Sequence, residues 1–201
     1  KSRQRQLNKL KNTAATTLDG EEIELLANIE SAGEVKNLLK LGADGVGLLR
    51  SEFLYLNRDN LPDEDELFHA YAETVKKLKG KECTIRTVDL GVDKNPRWFG
   101  GHGTLNAAAN PALGLTGIRL CHAEPVMFRT QMRAILRAAA LGPVKIMWPM
   151  ISSVAELKQC HVHLETARRQ LAERGLWSAS CEDETRRAEG FNRVQIAAWP
   201  A

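Results

Sequence analysis

Two arginines stand where an arginine is hard to explain as packing. Arg50 follows the apolar run Gly45-Val46-Gly47-Leu48-Leu49 directly, and Arg86 ends or nearly ends a second run that begins at Cys83. A guanidinium group presents a planar fork of donors, which suits phosphate or carboxylate in bidentate geometry better than a lysine does. Two such groups from neighbouring strands would converge on one doubly charged anion. Each is equally accounted for by a structural ion pair, Arg50 with Glu52 and Arg86 with Asp89 or Asp93. The cost of burying an arginine inside an apolar strand tilts the choice modestly toward a site. Lys94 lies just beyond the second run, where with Asp89 it brackets a glycine-containing turn and could help neutralise phosphate, although a loop lysine taken alone is usually only solvated. The stretch Asn110-Pro111-Ala112-Leu113-Gly114-Leu115-Thr116-Gly117-Ile118-Arg119 has a proline and glycines that fix a turn ahead of a helix. It reads as a plain connector unless a ligand approaches its backbone.

The elements that must position these residues alternate. Ile23–Ile29 is a short apolar run suited to a strand, and 34–41 has helical spacing closed by Gly42. Val46–Leu49 is a second strand. From an acidic start at Asp63 the chain to Leu78 is helical, with Leu67, Phe68, Tyr71, Val75 and Leu78 on one side. Cys83–Val88 is a third strand, 123–141 a strong helix and Val144–Trp148 a fourth strand. A long helix over 153–174 opens on a capping-box pattern, Ser153 with Glu156. Strands that are nearly all apolar and separated by helices predict parallel strands buried on both faces, hence the α/β class. Periodicity alone does not separate part of a barrel from an open doubly wound sheet. The connection 89–111 is far longer than the usual few residues, which marks it as a functional-loop candidate.

Composition narrows the function classes. A net charge of +3 is mild, and much of the excess lies in Lys1–Lys11 and in the arginines from Arg168 to Arg193. With few aromatics to stack bases and no reading motif, nucleic-acid binding is not expected. Cys83, Cys121, Cys160 and Cys181 are scattered without a CxxC pair, and His161 and His163 fall on different faces of their helix, so free thiols in a reducing cytoplasm are expected and a zinc site is not. There is no run of about 18 apolar residues and no apolar leader, so neither a membrane span nor a signal peptide is indicated. No P-loop, dinucleotide fingerprint or Gly-x-Ser-x-Gly elbow is present.

Taken together, a series of strings resembles the C-terminal barrel of the phosphoenolpyruvate-utilising family, most of all that of enzyme I of the bacterial sugar phosphotransferase system. They are Leu18-Asp19-Gly20, Gly45-Val46-Gly47-Leu48-Leu49-Arg50-Ser51-Glu52-Phe53-Leu54, Asn57-Arg58-Asp59, Arg86-Thr87-Val88-Asp89-Leu90-Gly91, Asp93-Lys94, Asn110-Pro111-Ala112-Leu113-Gly114, Gln131-Met132-Arg133-Ala134-Ile135-Leu136-Arg137-Ala138 and Ile146-Met147-Trp148-Pro149-Met150-Ile151. They run in order from about residue 13 to 175. The resemblance implies an incomplete (β/α)₈ TIM barrel comprising the first four strand–helix units, since a closed one needs roughly 250 residues. Residues 1–17 are then the end of an upstream helix and a linker, 18–175 the N-terminal half of the barrel, and 176–201 a divergent tail, out of frame or disordered. The start at Lys1 suggests that sequence precedes it.

The resemblance also implies a reaction. Phosphoenolpyruvate gives its phosphoryl group to a histidine on a separate domain, with Mg²⁺ assisting, and then to an HPr-like phosphocarrier during sugar uptake. By motif, Arg50 and Arg86 match two family arginines that hold the phosphate, and Lys94 lies in the same phosphate-facing loop. The barrel is also the dimerising part of the family, which makes a homodimer an expectation. Several departures weaken the site. Thr116 stands where a further arginine is usual, Val92 where a glycine is usual, and Pro96–Ala109 is an insert. The strings that carry the metal-binding Glu and Asp, another arginine and the catalytic cysteine are missing beyond Gly175, so no metal ligand and no complete catalytic set is assigned, and Cys181 is not carried over. This chain alone is expected to be inactive. The alternatives are a non-catalytic interaction or dimerisation module, or a truncated gene product.

Overall fold

The computed structural model describes residues 10–11, 13–90 and 114–176, and the backbone of 195–198. A small antiparallel ribbon comes first, β1 (Ala15–Thr16) with β2 (Glu22–Ile23). It separates Ile23 from the strand expected over Ile23–Ile29: only β3 (Leu26–Ile29) joins the main sheet, and Asp44 accepts the Leu25 N–H at 2.8 Å where the two parts meet. Next come α1 (Val35–Lys40), β4 (Gly45–Arg50) and a 3₁₀ turn over Ser51–Leu54. Then follow α2 (Glu64–Leu78) and β5 (Cys83–Arg86). The helix expected over 123–141 forms as α4 (Pro125–Ala139), and a short helix not expected from sequence, α3 (Ile118–Ala123), precedes it. Pro125 lacks an N–H and fixes its own φ, so it starts a helix well and cannot continue one. Finally, β6 (Val144–Trp148) leads to α5 (Val154–Glu173), which opens on the expected capping box of Ser153 and Glu156. Within the stretch expected to be a divergent tail, β7 (Gln195–Ala198) forms.

The main sheet is parallel throughout, in the order β3-β4-β5-β6-β7. That order settles what periodicity left open. A doubly wound sheet reverses its strand order at a switch point, whereas here each strand lies beside its predecessor, and right-handed crossovers then carry the helices to one face. This is the winding of a (β/α)₈ barrel. The described strands form an open sheet rather than a closed barrel.

The core lies between sheet and helices. Val46, Leu49, Cys83, Ile85, Ile146 and Trp148 meet Leu67, Tyr71, Val75, Phe128, Met132 and Ile135, all essentially inaccessible. α4 packs between α2 and α5. Burial on both strand faces, expected from sequence, holds for Cys83–Ile85 but not for β6, where Val144, Ile146 and Trp148 are buried while Lys145 and Met147 alternate as half-buried residues. Helices cover only one face, and on the other Lys145 pairs with Glu82 at 2.7 Å. Close approach between β3 and β4 depends on glycine: a Cβ at Gly47 would stand 2.8 Å from Cβ of Leu26.

Candidate phosphate-binding site

Arg50 and Arg86 are the last residues of adjacent parallel strands and are direct register partners. Their side chains therefore leave the sheet side by side at its carboxyl edge, where parallel α/β proteins build their sites. Immediately after Arg50 the chain tightens into the 3₁₀ turn, which folds Ser51 and Glu52 inward, each about 1% exposed.

Glu52 is the centre of the arrangement. Its Oε1 accepts from Arg50 Nε at 3.2 Å and, in a shorter contact, from Arg86 Nη2. Arg50 Nη1 reaches Glu30 at 2.8 Å, and the guanidinium lies over the Phe53 ring, 5.1 Å from its centroid. Arg86 Nη1 lies 3.0 Å from Asp89. The ion pairs considered from sequence, Arg50 with Glu52 and Arg86 with Asp89, thus both form. What sequence reading missed is that Glu52 serves both arginines and that Glu30, from the end of β3, joins them. Glu52 Oε2 and Arg86 Nε are buried without a hydrogen-bond partner among the described residues.

A second layer holds the strand ends. Ser51 Oγ donates to the Arg86 carbonyl at 2.6 Å. Gln131 of α4, itself buried, donates through Nε2 to Ser51 Oγ and to the Tyr71 hydroxyl, both at 2.9 Å, and its Oε1 accepts the Val88 N–H at 3.0 Å. One amide therefore ties together the residue after Arg50, the strand end that carries Arg86, and α2. Burial pushes the Tyr71 hydroxyl well above its ordinary pKa, so it stays a neutral partner. The signal for Gln131 was present in the sequence: Phe128, Gln131, Met132 and Ile135 make one i, i+3, i+4, i+7 stripe, and Gln131 is its one polar member.

Lys94, Val92, Asp93, the 96–109 insert and Asn110–Pro111 lie outside the described residues. Thr116 is buried beside the site's rim. Gly117, with φ of 54°, donates to the Leu90 carbonyl at 3.3 Å, and a Cβ there would stand 3.3 Å from Asp89 Oδ1. Of the Asn110–Arg119 string, Gly117 thus lies directly against the segment after Arg86. Among the described residues no three His, Cys, Asp or Glu converge as a metal site. Glu52 and Asp89 are engaged by arginines, so this donor set does not fit the oxygen shell that Mg²⁺ requires.

A parallel sheet in sequential order, with its helices following each strand, defines a barrel-type α/β domain. The model of the family described as PEP-utilising enzyme, PEP-binding domain, matches residues 4–181, and the chain belongs to that family. Among curated relatives, it is 50% identical over 172 residues to the phosphoenolpyruvate-protein phosphotransferase of Cupriavidus necator, covering 85% of this chain and 29% of that protein. The enzymes of the same name from Bacillus subtilis and Staphylococcus carnosus are 43% and 39% identical, over 83% and 85% of this chain and 29% of each relative. The chain thus spans less than a third of the length of these relatives. No helix among the described residues is long and apolar enough to cross a membrane.

Proposed function

We propose that the chain binds phosphoenolpyruvate through Arg50 and Arg86, with Lys94 as a further contact, as the substrate-gripping part of a phosphoenolpyruvate-protein phosphotransferase. The observation that carries this reading is the register pairing of the two arginines at the carboxyl edge of the sheet. Phosphoryl transfer demands positioning and neutralisation of the oxygens around phosphorus more than covalent help, which a pair of guanidinium forks supplies. In the proposed reaction the phosphorus–oxygen bond of the enol phosphate breaks and its electrons stay on the enolate oxygen. A histidine of another domain takes the phosphoryl group, and the enolate is protonated to pyruvate. From that histidine the group would pass to an HPr-like carrier serving sugar uptake, in the cytoplasm. Buried free thiols and the activity for which the relatives are named support that setting. Mg²⁺ is a family expectation for which the described residues provide no ligand set, and no step here depends on it.

A second reading is favoured by the charge balance. Two arginines face three carboxylates, Glu30, Glu52 and Asp89, so within the described cluster the arginine charge is more than balanced. This suits a non-catalytic interaction or dimerisation module in which the cluster is structural. Calorimetric titration with phosphoenolpyruvate separates the two. Binding by the parent chain that is abolished in Arg50→Ala and in Arg86→Ala supports the phosphate site, and no heat from the parent chain overturns it.

A further inference from the structure

We infer that Glu52 is a positioning residue: it holds the two guanidinium groups in one fixed arrangement and leaves the contact with the anion to them. This rests on the phosphate-site reading above. The geometry has three parts. A single oxygen, Oε1, accepts from both arginines, which makes Glu52 the one group among the described residues that links these two side chains, 36 positions apart in the chain. Glu52 is about 1% exposed, whereas Arg50 is 38% and Arg86 18% exposed, so the carboxylate lies beneath the pair and the cations toward solvent. Its backbone is fixed by the 3₁₀ turn that begins at Ser51, the residue whose hydroxyl grips the Arg86 carbonyl.

Packing does not call for this carboxylate. Half of it, Oε2, is buried without a hydrogen-bond partner among the described residues, and a buried, incompletely satisfied carboxylate is a poor source of stability compared with an apolar side chain of similar volume. Removing it does not strand the arginines, because Arg50 keeps Glu30 and Arg86 keeps Asp89. What it removes is the shared tether. Two long side chains would then sample many rotamers independently, and an anion would have to order both on binding. Glu30 differs: it is half-exposed and reaches Arg50 from the solvent side, where an incoming phosphate could displace it.

The test uses the full chain and two variants, Glu52→Gln and the apolar, similar-sized Glu52→Met. Arginine side-chain ¹⁵N NMR in the absence of ligand reads the tether directly. In the parent, the Nε–H signals of Arg50 and Arg86 are expected to be ordered and slow in rotation. In Glu52→Met both become averaged while the backbone amide spectrum and Tm stay close to the parent's. Signals that remain ordered in both variants overturn the inference, whether or not phosphoenolpyruvate binds. Titration with phosphoenolpyruvate adds the functional arm: affinity falls by roughly 10- to 100-fold in Glu52→Met and less in Glu52→Gln, as expected for losing hydrogen bonds to charged groups. Unchanged or tighter binding shows a competitor for the arginines and sinks the positioning role. A parent chain that fails to bind counts against the phosphate site, while the NMR comparison still decides whether Glu52 orders the pair.

Discussion

Gln131 shows how much can hang on one side chain. It spends its amide on Ser51, Tyr71 and the Val88 N–H, so three elements meet on a group with no access to water. Gln131→Leu keeps the volume but leaves the buried Val88 N–H without its acceptor and takes from the Ser51 and Tyr71 hydroxyls the N–H they accept. We expect a loss of roughly 2–4 kcal/mol, read as a lower urea midpoint with unchanged slope. Among the described residues the hydrogen bonds of Gln131 go to Ser51, Tyr71 and Val88 and not to either arginine side chain, so its effect on the site travels through the strand ends. The sequence marked Gln131 only as a polar member of an apolar stripe. Which groups it satisfies depends on residues 43 and 80 positions away, and no local pattern encodes that.

Between elements, the helices are fastened by charge as well as packing. Glu64, in the first turn of α2, receives Arg133 and Arg137 from α4 and Arg174 from the end of α5. Asp65 adds a second contact to Arg137, whose guanidinium also lies 4.1 Å from the Phe68 ring centroid. Burial pushes the Glu64 carboxyl up, but the hydrogen bonds from Arg174, Arg133 and Arg137 outweigh it and hold the pKa at about 2. A folded pKa below the ordinary 4.5 means stability that is present in full above that range and is lost as pH falls through about 2. Glu64→Gln should therefore cost roughly 1–3 kcal/mol at neutral pH, discounted for partial exposure, and the gap to the parent should close near pH 2. Urea melts of both proteins at pH 7 and at pH 2.5 check this, and a gap independent of pH would refute it. The helices themselves were legible from spacing and caps, within a residue or two at most boundaries. The exception is α3, a helix of 6 residues, too short to show a helical period in the sequence and separated from α4 by Pro125 at the next helix start.

For the molecule as a whole, the sheet and its helices make one core, and its cysteines report on that core. Cys83, Cys121 and Cys160 are fully buried free thiols. Burial pushes the Cys83 and Cys160 thiols up to about 12 and Cys121 higher still. A thiol that is neither ionised nor accessible does not react. In a Cys181→Ser background, an aromatic disulfide reagent at pH 8 should therefore titrate none of the three in the native protein and all three in urea. Rapid reaction of any one in buffer would show that the core opens locally.

Sequence alone determined the order and type of the elements, because hydrophobic period, caps and breakers are local properties of the chain. It also placed Arg50 and Arg86 at the carboxyl ends of strands, since each closes its own apolar run. The resemblance it carried to the phosphoenolpyruvate-utilising family agrees with the family match over residues 4–181. Only the tertiary structure decided that strands follow one another across the sheet without reversal, that Arg50 and Arg86 fall in register, and that one buried carboxylate serves both. Those facts depend on crossovers and on contacts between residues far apart in the chain, where each partner, read locally, has a nearer and equally reasonable one.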